Sequence, residues 1–294
     1  MITCPHMKPS ISLRTHLWAL ALSLLSSLYC CTAQYIELKA EIEINDWDAW
    51  FFFDKLDRWP GSDHPPSIFR ERPTERCVVG ANTWMLETTF ENMTLTYWFT
   101  GTNLIEHTLV TRQTPDNFIK RASEISKLAM TATPVGHQST RIYESVDGNP
   151  GRPVRVADLM GFDITAKVCW LAFCSSPCLK REGRQIYPPS AFWKESSLVW
   201  SGWADHTEVF QDSLGLPRSM TLVTTNNQSI FHYQVHASTN LLGWNLPLEF
   251  YGVQYLPTAT NAWKLALTLT GKVTSIGATK EPRIPPEVMK TVER

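Results

Sequence analysis

Residues 35–45 (YIELKAEIEIN) place an apolar side chain at every second position. Ile36, Leu38, Ala40, Ile42 and Ile44 share one side, and Glu37, Lys39, Glu41 and Glu43 share the other. A run of period two this long reads as a β-strand with one dry and one wet face, because alternate side chains of an extended chain point to opposite sides. A strand solvated on one face belongs to an antiparallel sheet, since parallel sheets are covered on both.

The same pattern recurs along the chain. Strands are read at 76–79, 83–88, 93–99 and 104–111, then at 141–146, 207–211, 218–224, 229–236, 246–255 and 263–276. They are separated by turn chemistry: Thr100-Gly101-Thr102-Asn103, Leu214-Gly215-Leu216-Pro217 and Asn226-Asn227, where Gly and Asn accept positive φ. Thr-Asn pairs at 102–103, 225–226, 239–240 and 260–261 are read the same way. No period of solenoid length is visible, so the expectation is a meander of short antiparallel strands.

Two segments break the pattern. Thr114-Pro115-Asp116 is a helix start, and Phe118, Ala122, Ile125 and Ala129 recur on one face, which predicts a helix over 115–130. Residues 162–178 (FDITAKVCWLAFCSSPC) are apolar on nearly every side. As a helix over 157–174 this stretch must be covered all round, against protein or partly against a bound apolar molecule. It is too short and too interrupted to span a bilayer, which takes about 20 apolar residues. Phe162, Trp170, Leu171 and Phe173 are its candidate ligand-binding residues, with an ordinary core helix as the competing reading.

The first 33 residues read as a secretory signal: Lys8 and Arg14, an apolar run over 17–29, and Cys31-Thr32-Ala33 ahead of Gln34. An uncleaved anchor is the alternative, opposed by the shortness of the run and its serines. The remaining chain has 25 basic and 28 acidic side chains. That balance supplies no basic field for nucleic acid and no lysine-rich run for an anionic membrane. The division expected is a signal at 1–33, one β-rich domain over 34–279 and a flexible tail over 280–294, with the ordered core ending near Ile276.

Four cysteines follow the signal: Cys77, Cys169, Cys174 and Cys178. In an exported chain they are disulfide candidates with three possible connectivities, and the close spacing of the last three favours a local bridge. Buried free thiols are the other reading. The C-x4-C-x3-C spacing lacks the paired units of a zinc site, so no metal is expected.

No reaction is singled out. The chain has no G-x-S-x-G turn. His232 and His236 fall on one face of a strand but about 13 Å apart, too far to share a metal. Asp205-His206 is the most enzyme-like adjacency, against the reading of a solvated loop pair. Glu87, Glu106, Glu208 and Glu249 are carboxylates on strands with nothing to choose a catalytic pair among them. No catalytic residue and no cofactor are therefore assigned.

Gly215-Leu216-Pro217, a strand, an Asn turn, residues 230–235 (IFHYQV) and Leu246-Pro247-Leu248-Glu249-Phe250 follow an order similar to the second half of the LolA-type carriers and their lipoprotein-sorting relatives. The hairpin over 97–105 (YWFTGTNLI) resembles that family's aromatic strand, glycine turn and return strand. The resemblance covers roughly a third of the chain. It implies an incomplete antiparallel barrel with helices at its open side and an apolar cavity for acyl chains. The chain departs from the family in its length and in its cysteine-bearing segment, which has no counterpart there.

The reading is an α+β protein: a mostly antiparallel curved sheet or partial β-barrel with two helices packed on its concave side. The function expected is that of an exported, non-enzymatic binder of an apolar small molecule or lipid, in the periplasm or envelope or outside the cell. The alternatives are a solid-cored module that binds a protein partner, and a secreted hydrolase. No nucleic-acid partner is expected, nor any transmembrane segment once the signal is removed.

Overall fold

Strand β1 (Tyr35–Asp46) lies at the centre of an open antiparallel sheet, and its alternation decides which face of that sheet is dry. The structure is a computed structural model that describes residues 35–46, 69–113, 134–143, 164–175, 182–187, 204–257 and 263–291. On one side of β1 a meander runs outward through β3 (Thr74–Val79), β4 (Trp84–Thr89), β5 (Met93–Phe99), β6 (Leu104–Val110) and β7 (Gln138–Tyr143). On the other side β13 (Trp263–Thr279) pairs with β1 along its whole length, from Tyr35↔Thr279 to Asp46↔Leu267. Beyond it lie β12 (Trp244–Pro257), β11 (Ser229–Leu241), β10 (Pro217–Thr224), β9 (Ala204–Gln211) and β8 (Gly183–Tyr187).

Strand β2 (Phe69–Glu71) pairs with the far end of β1 and is separated from β3 by Arg72 and Pro73. Proline has no N–H for the ladder, so the strand breaks there. The Pro73 carbonyl still accepts from Ile42 N at 3.0 Å, which holds the broken strand in place.

The strands read from the sequence are present with modest changes of boundary, and β2 and β8 are additions to them. Strand β11 runs on through Thr239 and Asn240, which pair with Leu246 and Asn245. Those two residues are therefore sheet and not turn. The turn lies at Leu242 and Gly243, both at positive φ (55° and 82°), a two-residue hairpin whose twist matches that of its strands.

One α-helix is found among the described residues, α1 (Ile164–Phe173). The expected helix over 115–130 lies outside the described residues, as do residues 157–163 ahead of α1, Phe162 and Cys178. Residues 1–34, with the expected signal, also lie outside them.

The inner face of the sheet, the face that carries α1, holds the main core. Ile36, Leu38, Ala40, Ile42 and Ile44 are buried there with Cys77, Trp84, Leu86, Phe231, Tyr233, Phe250 and Leu269. Glu37, Lys39, Glu41 and Glu43 face the other way, and Arg76 Nε donates to Glu37 Oε1 at 2.6 Å across that wet face.

A second, smaller cluster lies on the outer face over β3 to β7: Tyr35, Val78, Met85, Trp98 and Ile105. The chain after Thr279 covers it, with Val288 4% exposed and Ile284 packed beside it. The ordered core therefore does not end near Ile276. Thr140 Oγ1 donates to the Val288 carbonyl at 3.0 Å and lies 2.9 Å from His107 Nδ1. With the Thr140 proton committed to Val288, His107 Nδ1 is the donor to Thr140.

Burial holds the His107 pKa below the ordinary value of 6.5, against a smaller raising effect of its hydrogen bond to the Ser139 backbone. A histidine depressed in the folded state binds its proton more readily in the unfolded chain, so stability falls as pH drops through about 6.5 and below. Melting temperature is expected to fall between about pH 7.5 and pH 5.5. His107→Gln, whose amide keeps a donor for Thr140, is expected to lose less over the same interval, as read by thermal melts of both proteins.

Candidate functional site

Helix α1 has no acidic residue in its first turn and no basic residue in its last. Residues 165–175 are all buried. A helix without a polar stripe cannot lie on a surface, so it is held by covering on every side. It packs against β12, β4 and β3, crossing the middle of the inner face where the two meanders meet. Ten residues reach about 15 Å, whereas twelve strands at about 4.8 Å spacing measure more than 50 Å across. The helix therefore covers the centre of the inner face and not its wings.

Helix α1 sits close on β12. A Cβ at Gly252 would lie 3.4 Å from Val168 Cγ2, about van der Waals contact, so little space separates the helix from the strand. Further along, Phe173 meets the edge of Phe250 at 5.3 Å between ring centres and 88° between planes. The Phe250 ring in turn fills the space over Gly271 of β13 that a Cβ there would need. The helix ends by a local device: Cys174 N and Ser175 N both donate to the Trp170 carbonyl (2.8 and 2.9 Å), and Ser175 Oγ donates to the Leu171 carbonyl at 2.6 Å.

The sequence-predicted residues Trp170, Leu171 and Phe173 are thus together in the interior, 1%, 2% and 2% exposed. Cys77, Cys169 and Cys174 are fully buried, and no disulfide links them. Cys77 Sγ and Cys174 Sγ lie 3.4 Å apart.

Sequence reasoning missed a set of polar atoms in this apolar interior. Trp84 Nε1, Trp170 Nε1, Tyr233 Oη, Thr88 Oγ1 and Thr207 Oγ1 are buried without a hydrogen-bond partner. All five lie on the inner side. Trp84, Trp170 and Tyr233 belong to the main core, Thr88 faces Leu95, and Thr207 faces Leu222. Burial pushes the Tyr233 phenol well above 10, with nearby Cys169 adding to the effect, so it remains a neutral donor. Nothing in residue type alone separates a satisfied buried tyrosine from an orphaned one.

The remaining polar candidates lie outside this interior. His206 belongs to β9 and is not a loop residue. Its Nδ1 lies 2.8 Å from Asp205 Oδ2 and its Nε2 3.1 Å from Glu208 Oε1. The hydrogen bond to Asp205 first, and that to Glu208 second, raise its pKa. Arg184 pairs with Glu208 and holds that carboxyl below its usual range. With both ring nitrogens taken by carboxylates, His206 has no free nitrogen to offer a substrate.

His232 and His236 flank the ring of Tyr251, at 6.4 and 5.7 Å. A cavity of about 720 Å³ lies against the wet side of β1, β13 and β12 and is lined by Glu41, Glu43, Glu249, Arg72 and Lys272 among others. Its charged walls suit no acyl chain. Among the described residues no group of His, Cys, Asp and Glu is placed to hold a metal, and no helix is long and apolar enough to cross a membrane.

No family model matches the sequence, and no curated protein matches it. Solved structures do. A DUF1329 family protein from Desulfovibrio piger matches at 7% identity and a TM-score of 0.41, over 88% of this chain and 90% of that one. A domain from Vibrio parahaemolyticus named for outer membrane lipoprotein sorting matches at 3% identity and 0.40, over 90% and 93%. A LolA superfamily protein from Nitrosomonas europaea matches at 9% and 0.31, over 91% and 96%. Two of these three names are those of the family that the sequence resembles. At TM-scores under 0.5 the likenesses carry no argument about this chain's chemistry.

Proposed function

We propose that the protein is an exported, non-enzymatic carrier of an apolar ligand, a lipid or acyl chain with a hydrogen-bond acceptor at one end, taken up between α1 and the inner face of the sheet. The observation that carries this reading is the set of orphaned donors in a largely apolar interior. Each buried donor without a partner costs about 1–3 kcal/mol, and native interiors rarely leave several in one region. An ester or carboxyl oxygen reaching Tyr233 Oη or Trp170 Nε1 would relieve that cost, and the chain behind it would meet the apolar side chains of the main core. Helix α1 fits the role of a movable cover, because Phe173 and Val168 meet Phe250 and Gly252 of the sheet through apolar contacts and a hydrocarbon chain offers the same kind of contact. Export rests on the leader read at residues 1–33, and a place in the periplasm, in the envelope or outside the cell goes with it.

Tyr233→Phe separates the ligand-bound from the empty protein, since it removes one hydroxyl and keeps the ring. The ligand-free variant is expected to be more stable than the parent by about 1 kcal/mol, because an unpaired buried hydroxyl is lost. Its retention of a copurifying lipid in native mass spectrometry is expected to fall roughly tenfold. A native mass equal to that of the bare chain, with no lipid taken up from vesicles, would overturn the carrier reading.

A protein-binding role is the second reading. On the outer face of β8 and β9, Ile186 and Phe210 are 64% and 48% exposed on one side of the sheet, beside the Arg184–Glu208 pair. Capture of a partner that Phe210→Ser no longer binds would favour it.

A further inference from the structure

Cys77 and Cys174 are 97 residues apart in the chain, yet their sulfurs lie 3.4 Å from each other with no exposed surface. Cys77 points inward from β3 between its cross-strand neighbours Leu38 and Leu86. Cys174 is the first residue past α1, and its backbone bond to Trp170 keeps it on the last turn of the helix. We propose that this pair is an oxidisable latch: in an oxidising compartment it forms the disulfide that fastens the C-terminal end of α1 to β3, and reduction releases that fastening.

A disulfide brings its sulfurs to about 2.0 Å, with the side chains approaching through specific torsions. The two thiols already face each other in van der Waals contact, so side-chain rotation and a small backbone adjustment close the gap. The helix end is also the place where a fastening matters. Upstream of it Val168 and Phe173 rest on β12 by apolar contacts, and at the end the Cys174 and Ser175 amides and the Ser175 hydroxyl close the helix on itself.

The oxidant is a disulfide-bearing molecule such as oxidised glutathione or a dithiol oxidase. One cysteine thiolate attacks it to give a mixed disulfide and releases the first thiol. The second cysteine thiolate then attacks the bound sulfur, which forms Cys77–Cys174 and releases the second thiol. Two protons and two electrons leave the protein, and the oxidant is reduced by the same two electrons. Full burial of both sulfurs makes oxidation wait on an opening of the helix end, so the bridge forms slowly in the folded protein and, once formed, resists reduction. The latch does not depend on what α1 covers, and its test uses no lipid.

The full chain is reduced, then oxidised with excess oxidised glutathione; remaining thiols are alkylated and peptides mapped. A peptide joining Cys77 to Cys174, lighter by two hydrogen atoms than the reduced pair, is the expected result, and Cys169→Ser is expected to keep it. Reductant is expected to lower the melting temperature of the oxidised parent by about 10 °C, as closing a loop of about 100 residues implies. Cys77→Ser is expected to show no such response. Alkylation of both Cys77 and Cys174, or a bridge from Cys174 to Cys178 or from Cys77 to Cys169, would overturn the assignment. Mapping of the parent chain decides this even if the serine variants do not fold.

Discussion

Trp170→Ala is expected to lower stability by about 3–5 kcal/mol, the range for emptying a large aromatic site in a closed core. Trp170 is 1% exposed, lies midway along a helix buried over its whole described length, and belongs to the main cluster. The measurement is the urea midpoint: it should fall with little change in the slope, because the surface exposed on unfolding is nearly the same. Trp170→Phe should recover more than half of the loss by filling most of the volume. The carrier reading makes a separate demand on the same residue, since Trp170 Nε1 is one of the orphaned donors. A Trp170→Ala protein that kept its midpoint but lost a bound lipid would place the indole against ligand and not in the core.

The second large effect is expected at Gly271. Its neighbours on either side, Ile42 and Phe250, point to the same face, and the Phe250 ring occupies the space that a side chain at 271 would need. A methyl group at 271 must push Phe250 off the strand, and Phe250 is pinned by Phe173 at 5.3 Å and by Tyr233 at 6.2 Å. Gly271→Ala is expected to cost about 3 kcal/mol, at the upper end for an overfilled core, and larger residues more. The cost is shared with Phe250, so a double-mutant cycle tests the mechanism. Combining Gly271→Ala with Phe250→Leu should give a protein more stable than the sum of the single losses predicts, with a coupling of about 1–3 kcal/mol. Simple addition would mean that the clash is not with Phe250. Because Phe250 also holds Phe173, Gly271→Ala is expected to loosen α1 and raise the reactivity of Cys174 toward alkylating reagents.

Much of the strand pattern was legible. Ile36 to Ile44 show their inner face in the residue order itself, and positive φ at Gly101, Gly215 and Asn227 falls where turn residues were read. Strand β8 (GRQIY) was not, since five residues carry too little alternation to stand out. The hairpin at Leu242-Gly243 was missed because leucine hides a positive φ that Asn would have advertised. The tail was misjudged for a related reason. Ile284 and Val288 are isolated among prolines and charges, and their partners Val78, Trp98 and Ile105 lie nearly 200 residues away in the chain.

The candidate site was legible only as a list. Trp170, Leu171 and Phe173 announced themselves as apolar on a helix apolar all round, which guarantees burial but not its partner. That Val168 rests on Gly252, that Phe250 lies over Gly271, and that Tyr233 ends near Cys169 without a hydrogen bond all follow from strand register.

By itself the sequence determined the local states. Period two commits the chain to half-buried strands, Gly and Asn set several turns, and apolar side chains on nearly every side predict a buried helix over 157–174, of which 164–173 are found as α1. Tertiary structure decided everything that depends on pairing at a distance: β1 with β13, the two ends of the domain side by side, and Cys77 against Cys174. The physical reason is that periodicity is written within a few residues, whereas long-range contacts are chosen by whichever arrangement buries the most apolar surface for the loop entropy lost. That choice belongs to all the strands together and to no stretch of sequence alone.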